Sequence, residues 1–184
     1  MATVQPIRDI QLIEKMEHYL KRRSLRNWAM FVLGINTGLR ISDILPLKVK
    51  DVRGKQFLTI KEQKTGKHKT IRLTPKLILC IDEYTAGMDD EDYLFPSQKG
   101  GRPISRIQGY RILKDAAEAL GIEHCGTHTL RKTFGFHFYK QFRDVATLQE
   151  IFNHSSPSIT LRYIGITQNT INAMLEDFAL GQVD

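Results

Sequence analysis

The sequence predicts a mostly α domain with a small antiparallel β-hairpin or sheet (α+β), and three features carry that expectation. Most of the chain places apolar residues at helical i, i+3, i+4 spacing. One stretch, residues 56–75, alternates with period two instead. The length, 184 residues, suits one domain with a continuous core. Lys and Arg number 27 against 20 Asp and Glu, a net charge of +7, and 41% of residues are hydrophobic. With a pI near 9.5 and a mean hydropathy of −0.30, this balance excludes a disordered polyelectrolyte and points to a polyanionic partner, nucleic acid first. No run of about 18 apolar residues and no signal-peptide pattern occurs, so a cytoplasmic protein with no membrane partner is expected. Cys80 and Cys125 lack CxxC partners, which fits neither a disulfide framework nor a zinc site of familiar spacing.

Residues 1–22 set Ile10, Leu12, Ile13, Met16, Tyr19 and Leu20 among charges, behind the start signals Pro6 and Asp9, and predict a short amphipathic helix. LRNWAMFVLGIN, residues 25–36, is apolar nearly all round and predicts a buried helix that stops at Thr37-Gly38. Ser42, followed by Asp43, Ile44 and Leu45, is expected to cap another helix that Pro46 ends, which puts Arg40 at the bend between the two. QFLTIKEQ and HKTIRLTP, joined by KTGK, predict the hairpin, with Lys64 near its tip. Pro75 opens a helix over KLILCIDEYTAG, and Asp89, Asp90, Glu91 and Asp92 read as a solvated turn. Beyond the Gly-rich QKGGRP the rest reads as helices over roughly 104–120, 128–141, 145–152, 157–163 and 168–179.

His128 and Arg131 stand three apart at a helix start and so face one way, offering an imidazole and a guanidinium fork that match phosphate oxygens. His154 precedes Ser155, Ser156 and Pro157, which break the chain between two short helices, and Tyr163 ends the second. Arg40, between Leu39 and Ile41, is expected to be partly buried, with Asp43 within charge-pairing reach. Taken singly, each has an ordinary structural role: a capping histidine, a core tyrosine, an Arg–Asp pair, a basic hairpin tip.

The set in order does not read that way. GLRISDIL, a lysine in a hairpin, HTLR, NHSS and TLRY resemble the catalytic domain of the tyrosine recombinases, the phage integrase family, over residues from about 10 to 180. The resemblance implies the catalytic-domain fold of that family and site-specific cleavage and rejoining of double-stranded DNA through a 3′-phosphotyrosyl intermediate. It implies that Arg40 and Arg131 bind the scissile phosphate, with Asp43 supporting the first. His128 is then the histidine of the HxxR motif, Lys64 the hairpin lysine, His154 the second histidine position and Tyr163 the nucleophile.

The reaction asks for these residue types. A phenol can hold the transferred phosphoryl group, and with a pKa of about 10 it needs a base, for which His128 is placed. Charge that grows on the nonbridging oxygens calls for fixed donors, a task that suits Arg40, Arg131 and His154. The departing 5′-hydroxyl needs a proton, which Lys64 can bring, with Lys67 and Lys69 as close alternatives. The guanidiniums stand where a metal would; no HExxH, paired DxD or GxxxxGK[ST] motif is present, and no metal or other cofactor is expected. His18, His68, His124 and His137 are assigned to surface or core.

Only about 24 residues precede the first buried helix, so a single catalytic domain over 1–184 is expected, without the separate core-binding domain usual in the family. Residues 165–184 carry Ile171, Met174, Leu175 and Phe178 at helical spacing. By resemblance, this C-terminal helix packs on a neighbouring protomer within a homo-tetramer assembled on DNA, the protein being a monomer or weak oligomer without it. Lys132 stands where many relatives have histidine. The alternatives are a DNA-binding regulatory or directionality module of the same fold and a type IB topoisomerase-like activity.

Overall fold

A computed structural model describes residues 4–167 together with Thr170, Asn172, Leu175, Glu176 and Phe178. In chain order the elements are α1 (Ile10–Arg23), α2 (Leu25–Thr37), α3 (Ile41–Ile44), a 3-10 turn (Val49–Asp51), β1 (Phe57–Lys61), β2 (His68–Arg72), α4 (Pro75–Thr85), α5 (Arg106–Ala119), α6 (Thr129–Phe142), α7 (Val145–Phe152) and α8 (Pro157–Tyr163). The expected helix over 168–179 falls mostly outside the described residues. Among the described residues no helix is long and apolar enough to cross a membrane.

Short polar side chains start the helices by accepting from otherwise unpaired amides: Asp9 from Gln11, Ser24 from Asn27, Ser105 from Gln108 and Ser156 from Ile159. Helix α2 ends at Gly38, whose left-handed backbone (φ 64°) closes the helix without a Cβ penalty. The expected cap at Ser42 is displaced. Arg40 occupies the N-cap position of α3 in extended conformation and gives it no side-chain cap bond, because a guanidinium has no acceptor to offer the free amides.

Helix α2 lies at the centre and packs on α1, α4 and α6. Its Met30, Phe31, Val32 and Leu33 are buried, each such side chain contributing roughly 1.5–3 kcal/mol by leaving water. Gly34 lets α6 approach, since a Cβ there would lie 2.4 Å from Cδ1 of Leu130. That contact sets Arg131, the next residue along, beside the end of α2.

The two strands pair antiparallel from Phe57↔Arg72 to Lys61↔His68. Leu58 and Ile60 point inward and are buried, as the alternation requires. The acidic stretch is a solvent-exposed turn, as expected, and its side chains also fasten it to the 3-10 turn. Glu91 accepts from Lys48 at 2.8 Å and Lys50 at 2.6 Å, Asp90 pairs with Arg53 at 3.0 Å, and main-chain bonds from Val49 and Lys50 fasten the stretch to the 3-10 turn. The basic residues that hold it lie about 40 positions upstream in sequence, beyond any local signal.

A second, smaller apolar cluster of Leu148, Phe152 and Ile164, with Phe134 and Phe138 against it, carries α7 and α8 onto α6. Gly135 of α6 permits this docking, because a Cβ there would come within 2.6 Å of Ile164 and 2.7 Å of Phe152.

Candidate active site

Arg131 is 2% exposed. Its Nη1 donates to the carbonyl of Gly38 at 2.6 Å and its Nη2 to that of Phe152 at 2.8 Å, with the guanidinium carbon 4.2 Å from the centre of the Phe152 ring. Two carbonyls and an aromatic face thus hold a buried cation where the ends of α2 and α7 meet the first turn of α6. Burial lowers its pKa to about 10, which leaves it cationic at neutral pH.

Arg40 donates from Nη1 to Oε1 of Glu62 at 3.0 Å, while Oδ2 of Asp43 stands at 4.0 Å. The expected partner is therefore not the main one. Oδ1 of Asp43 accepts from the amide of Gln63 at 2.8 Å, and its buried Oδ2 has no hydrogen-bond partner. Glu62, missed in the sequence reading, fills that role and also accepts from the Thr65 hydroxyl at 2.6 Å. Burial opposes its charge, but Thr65 and Arg40 outweigh that and hold the carboxyl below its usual range. A signal existed: Leu58, Ile60 and Glu62 follow one another at period two, so a carboxylate in the inward row demanded a buried cation.

Tyr163 ends α8 with its hydroxyl 3.1 Å from Nδ1 of His128. Its ring packs against Phe152 at 5.5 Å and His154 at 5.2 Å between centroids, and Nζ of Lys132 sits 5.0 Å from the ring centre. Burial pushes the phenol up, and the guanidiniums of Arg131 and Arg40 pull part of the way back. Burial likewise holds His128 below 6.5, reinforced by Lys132, Arg131, Arg40 and Arg106, so the imidazole is neutral at pH 7 and its Nδ1 can accept the phenolic proton. His154 contacts Thr160 Oγ1 at 3.0 Å through Nδ1, and burial followed by Arg131, Arg40 and Lys64 lowers it to about 4.

Arg40, Ser42, Lys64, Arg106, His128 and Arg131 line a cavity of about 350 Å³. The hairpin lysine reaches it from the tip, Arg106 from the first residue of α5, and Tyr163 adjoins it through His128. Arg106 was not singled out from sequence; it directly follows the Ser105 cap and carries no motif of its own. Neither Lys67 nor Lys69 lines the cavity, although Lys69 is near enough to Arg131, Glu62 and Arg40 for their charges to act on it. Lys67 donates to Asn153 Oδ1 at 2.9 Å and Lys69 to the carbonyl of Ile151, both at the end of α7. Four cations and a small volume suit one phosphate group. Among the described residues no three His, Cys, Asp or Glu side chains cluster as metal ligands. Of the histidines assigned to surface or core, His137 lies 2.9 Å from the carbonyl of Ile7 through Nε2.

The sequence profile of the phage integrase family matches residues 9–170. The chain belongs to the phage integrase family. Among family relatives, the probable integrase/recombinase YoeC of Bacillus subtilis (strain 168) is 52% identical over 178 residues, 97% of this chain and 98% of its own length. Tyrosine recombinase XerA of Pyrococcus furiosus is 30% identical over 168 residues, 89% of this chain and 58% of the relative. The crystal structure of XerA recombinase superposes with a TM-score of 0.77 at 21% identity, over 95% of this chain and 66% of that one. XerH recombinase bound to palindromic difH substrate, a post-cleavage complex, gives 0.73 at 20% identity, over 91% and 51%. The phage integrase fold, helical with one hairpin, is thus shared along nearly the whole chain, which spans about half to two thirds of these longer relatives.

Proposed function

We propose that this chain is a site-specific DNA recombinase that cleaves and rejoins double-stranded DNA through Tyr163. One observation carries the reading: a phenolic hydroxyl 3.1 Å from an imidazole nitrogen, at the edge of a cavity with Arg40, Lys64, Arg106 and Arg131 on its wall. The scissile phosphate occupies that cavity. The Tyr163 oxygen attacks phosphorus as His128 takes its proton, the bond from phosphorus to the 5′ oxygen breaks, and Lys64 protonates the departing hydroxyl. Arg40, Arg131 and His154 meet the charge that builds on the nonbridging oxygens, each fixed donor contributing on the order of 3 kcal/mol. Attack by an incoming 5′-hydroxyl reverses these transfers and frees Tyr163.

The protein acts in the cytoplasm, where its DNA is, with residues 1–184 as one catalytic domain that assembles as a homo-tetramer on two sites. Exchange of residues 165–184 between protomers is supported by an apolar groove of about 980 Å³ with Ile10, Ile13, Ile71, Phe134, Phe138 and Phe142 along it. The apolar spacing of Ile171, Met174, Leu175 and Phe178 matches such a groove.

The test is a pool of nicked duplexes, in which the fragment beyond the cleaved bond diffuses away and traps the protein on DNA. A covalent adduct mapped to Tyr163, absent in Tyr163→Phe, is the expected result. DNA binding without adduct across the pool would overturn the reading in favour of a regulatory DNA-binding module.

A further inference from the structure

Glu62 is a carboxylate only 3% exposed, and its two oxygens serve different elements. Oε1 takes the guanidinium of Arg40 at 3.0 Å, and Oε2 takes the hydroxyl of Thr65 at 2.6 Å. Lys64 is one of the two residues between Glu62 and Thr65. The main chain of Glu62 closes the same turn, donating to the Lys67 carbonyl at 2.9 Å and accepting from the Gly66 amide at 2.8 Å. Gln63, between Glu62 and Lys64, is fastened to α3 by its amide on Asp43 at 2.8 Å. The backbone that carries Lys64 is therefore bracketed on both sides by carboxylates tied to the segment that bears Arg40.

We infer that Glu62 is a positioning residue that fixes Arg40 and the Lys64 turn relative to each other, one carboxylate oxygen for each. The inference rests on the recombinase reading above, in which the two cations meet opposite ends of one phosphate. Lys64 itself is exposed and reaches the cavity on a flexible stem, so where its ammonium can stand depends on the frame of the turn. A misplacement of about 1 Å at a reacting group can cost about 10²-fold in rate. Burial of the charge also makes the link directional, because an ionised carboxylate away from water keeps its charge-assisted partners or loses its charge.

The two arms can be cut separately. The substrate is the nicked duplex that gives a Tyr163 adduct with the wild-type protein, made in two forms: with oxygen, and with sulfur, in the 5′ bridging position of the cleaved bond. A thiolate leaves without a proton, so the sulfur form bypasses the lysine but still needs the arginine. Thr65→Val is expected to slow adduct formation about tenfold on the oxygen form and less than about twofold on the sulfur form, as Lys64→Ala does more strongly, with Thr65→Ser restoring the rate. Glu62→Gln, which also removes the counter-charge of Arg40, is expected to slow both. Equal effects of Thr65→Val on the two forms, or none on either, would overturn the inference while leaving the recombinase reading intact. Absence of any wild-type adduct overturns that reading and the inference with it. Should Glu62→Gln fail to fold, the Thr65 pair decides alone.

Discussion

Arg131 donates to the carbonyl of Gly38 at 2.6 Å, so the residue that ends α2 is also an anchor for a site cation. The second anchor, the Phe152 carbonyl, is taken by the other terminal nitrogen of the same fork. Lysine has one nitrogen and cannot span both. Arg131→Lys is expected to leave a buried carbonyl unpaired, lowering stability by about 1–3 kcal/mol, and to reduce adduct formation about 10²-fold. Thermal unfolding beside adduct yield checks both, and a wild-type melting temperature would contradict the anchoring role.

Gly135 gives a separate handle on the placement of Tyr163. A methyl group there meets Ile164 and Phe152, the residues against which Tyr163 is set. Gly135→Ala is expected to cost about 1–3 kcal/mol through overpacking and to move α8 away from His128. Adduct yield is expected to fall even at temperatures where circular dichroism shows the variant fully folded.

The pH dependence of cleavage follows from His128. Its pKa lies below 6.5, chiefly through burial, so the neutral base persists to lower pH than a free histidine would allow. The acid limb of the single-turnover adduct rate is therefore expected below pH 6.5. A limb at or above 6.5 would remove His128 from the role of base.

His154 makes the fold itself sensitive to acid. Its pKa falls from 6.5 in the unfolded chain to about 4 in the folded one, so the unfolded state takes up the proton first. The contribution is complete above pH 6.5 and is lost as pH falls toward 4. Melting temperatures across that window are expected to drop more steeply for the wild type than for His154→Gln.

Lys132 holds its ammonium 5.0 Å from the Tyr163 ring and donates to the Val4 carbonyl at 2.8 Å. A cation at that face favours the phenolate. Lys132→Met is expected to slow adduct formation by about twofold, since only the part of the cation's attraction that grows as the phenolate forms changes the barrier. Unchanged rates would leave Lys132 with only its tie to the N-terminal segment.

Much of this site was legible because its residues sit at marked local positions: Arg40 after a helix-ending glycine, Lys64 at a hairpin tip, His128 and Arg131 one turn apart, Tyr163 at the end of a Pro-started helix. What escaped was pairing across distance. Asp43 was the near carboxylate in sequence, but Glu62, 22 positions from Arg40, is the near one in space. Arg106 joined the cavity only because α5 begins there, and helix ends are placed by packing rather than by composition. Ser42 lost the cap for a related reason, since the backbone turn at Gly38 and Leu39 restarts the helix two residues earlier, with Arg40 at the N-cap. The bounds of the other helices followed their polar caps and glycine stops, which are local signals.

The small cluster of Leu148, Phe152 and Ile164 lies apart from the large core around α2. Three buried side chains at roughly 2 kcal/mol each make a much shallower energy well than the main core provides. Amide protons of α7 and α8 are therefore expected to exchange with solvent by sub-global opening, and those of α2 only on unfolding of the whole chain. The Tyr163 phenol is carried by the smaller of the two clusters. Substitutions that harden the α2 core raise the melting temperature without tightening the tyrosine, so durability and readiness to cleave are free to diverge in descendants of this sequence.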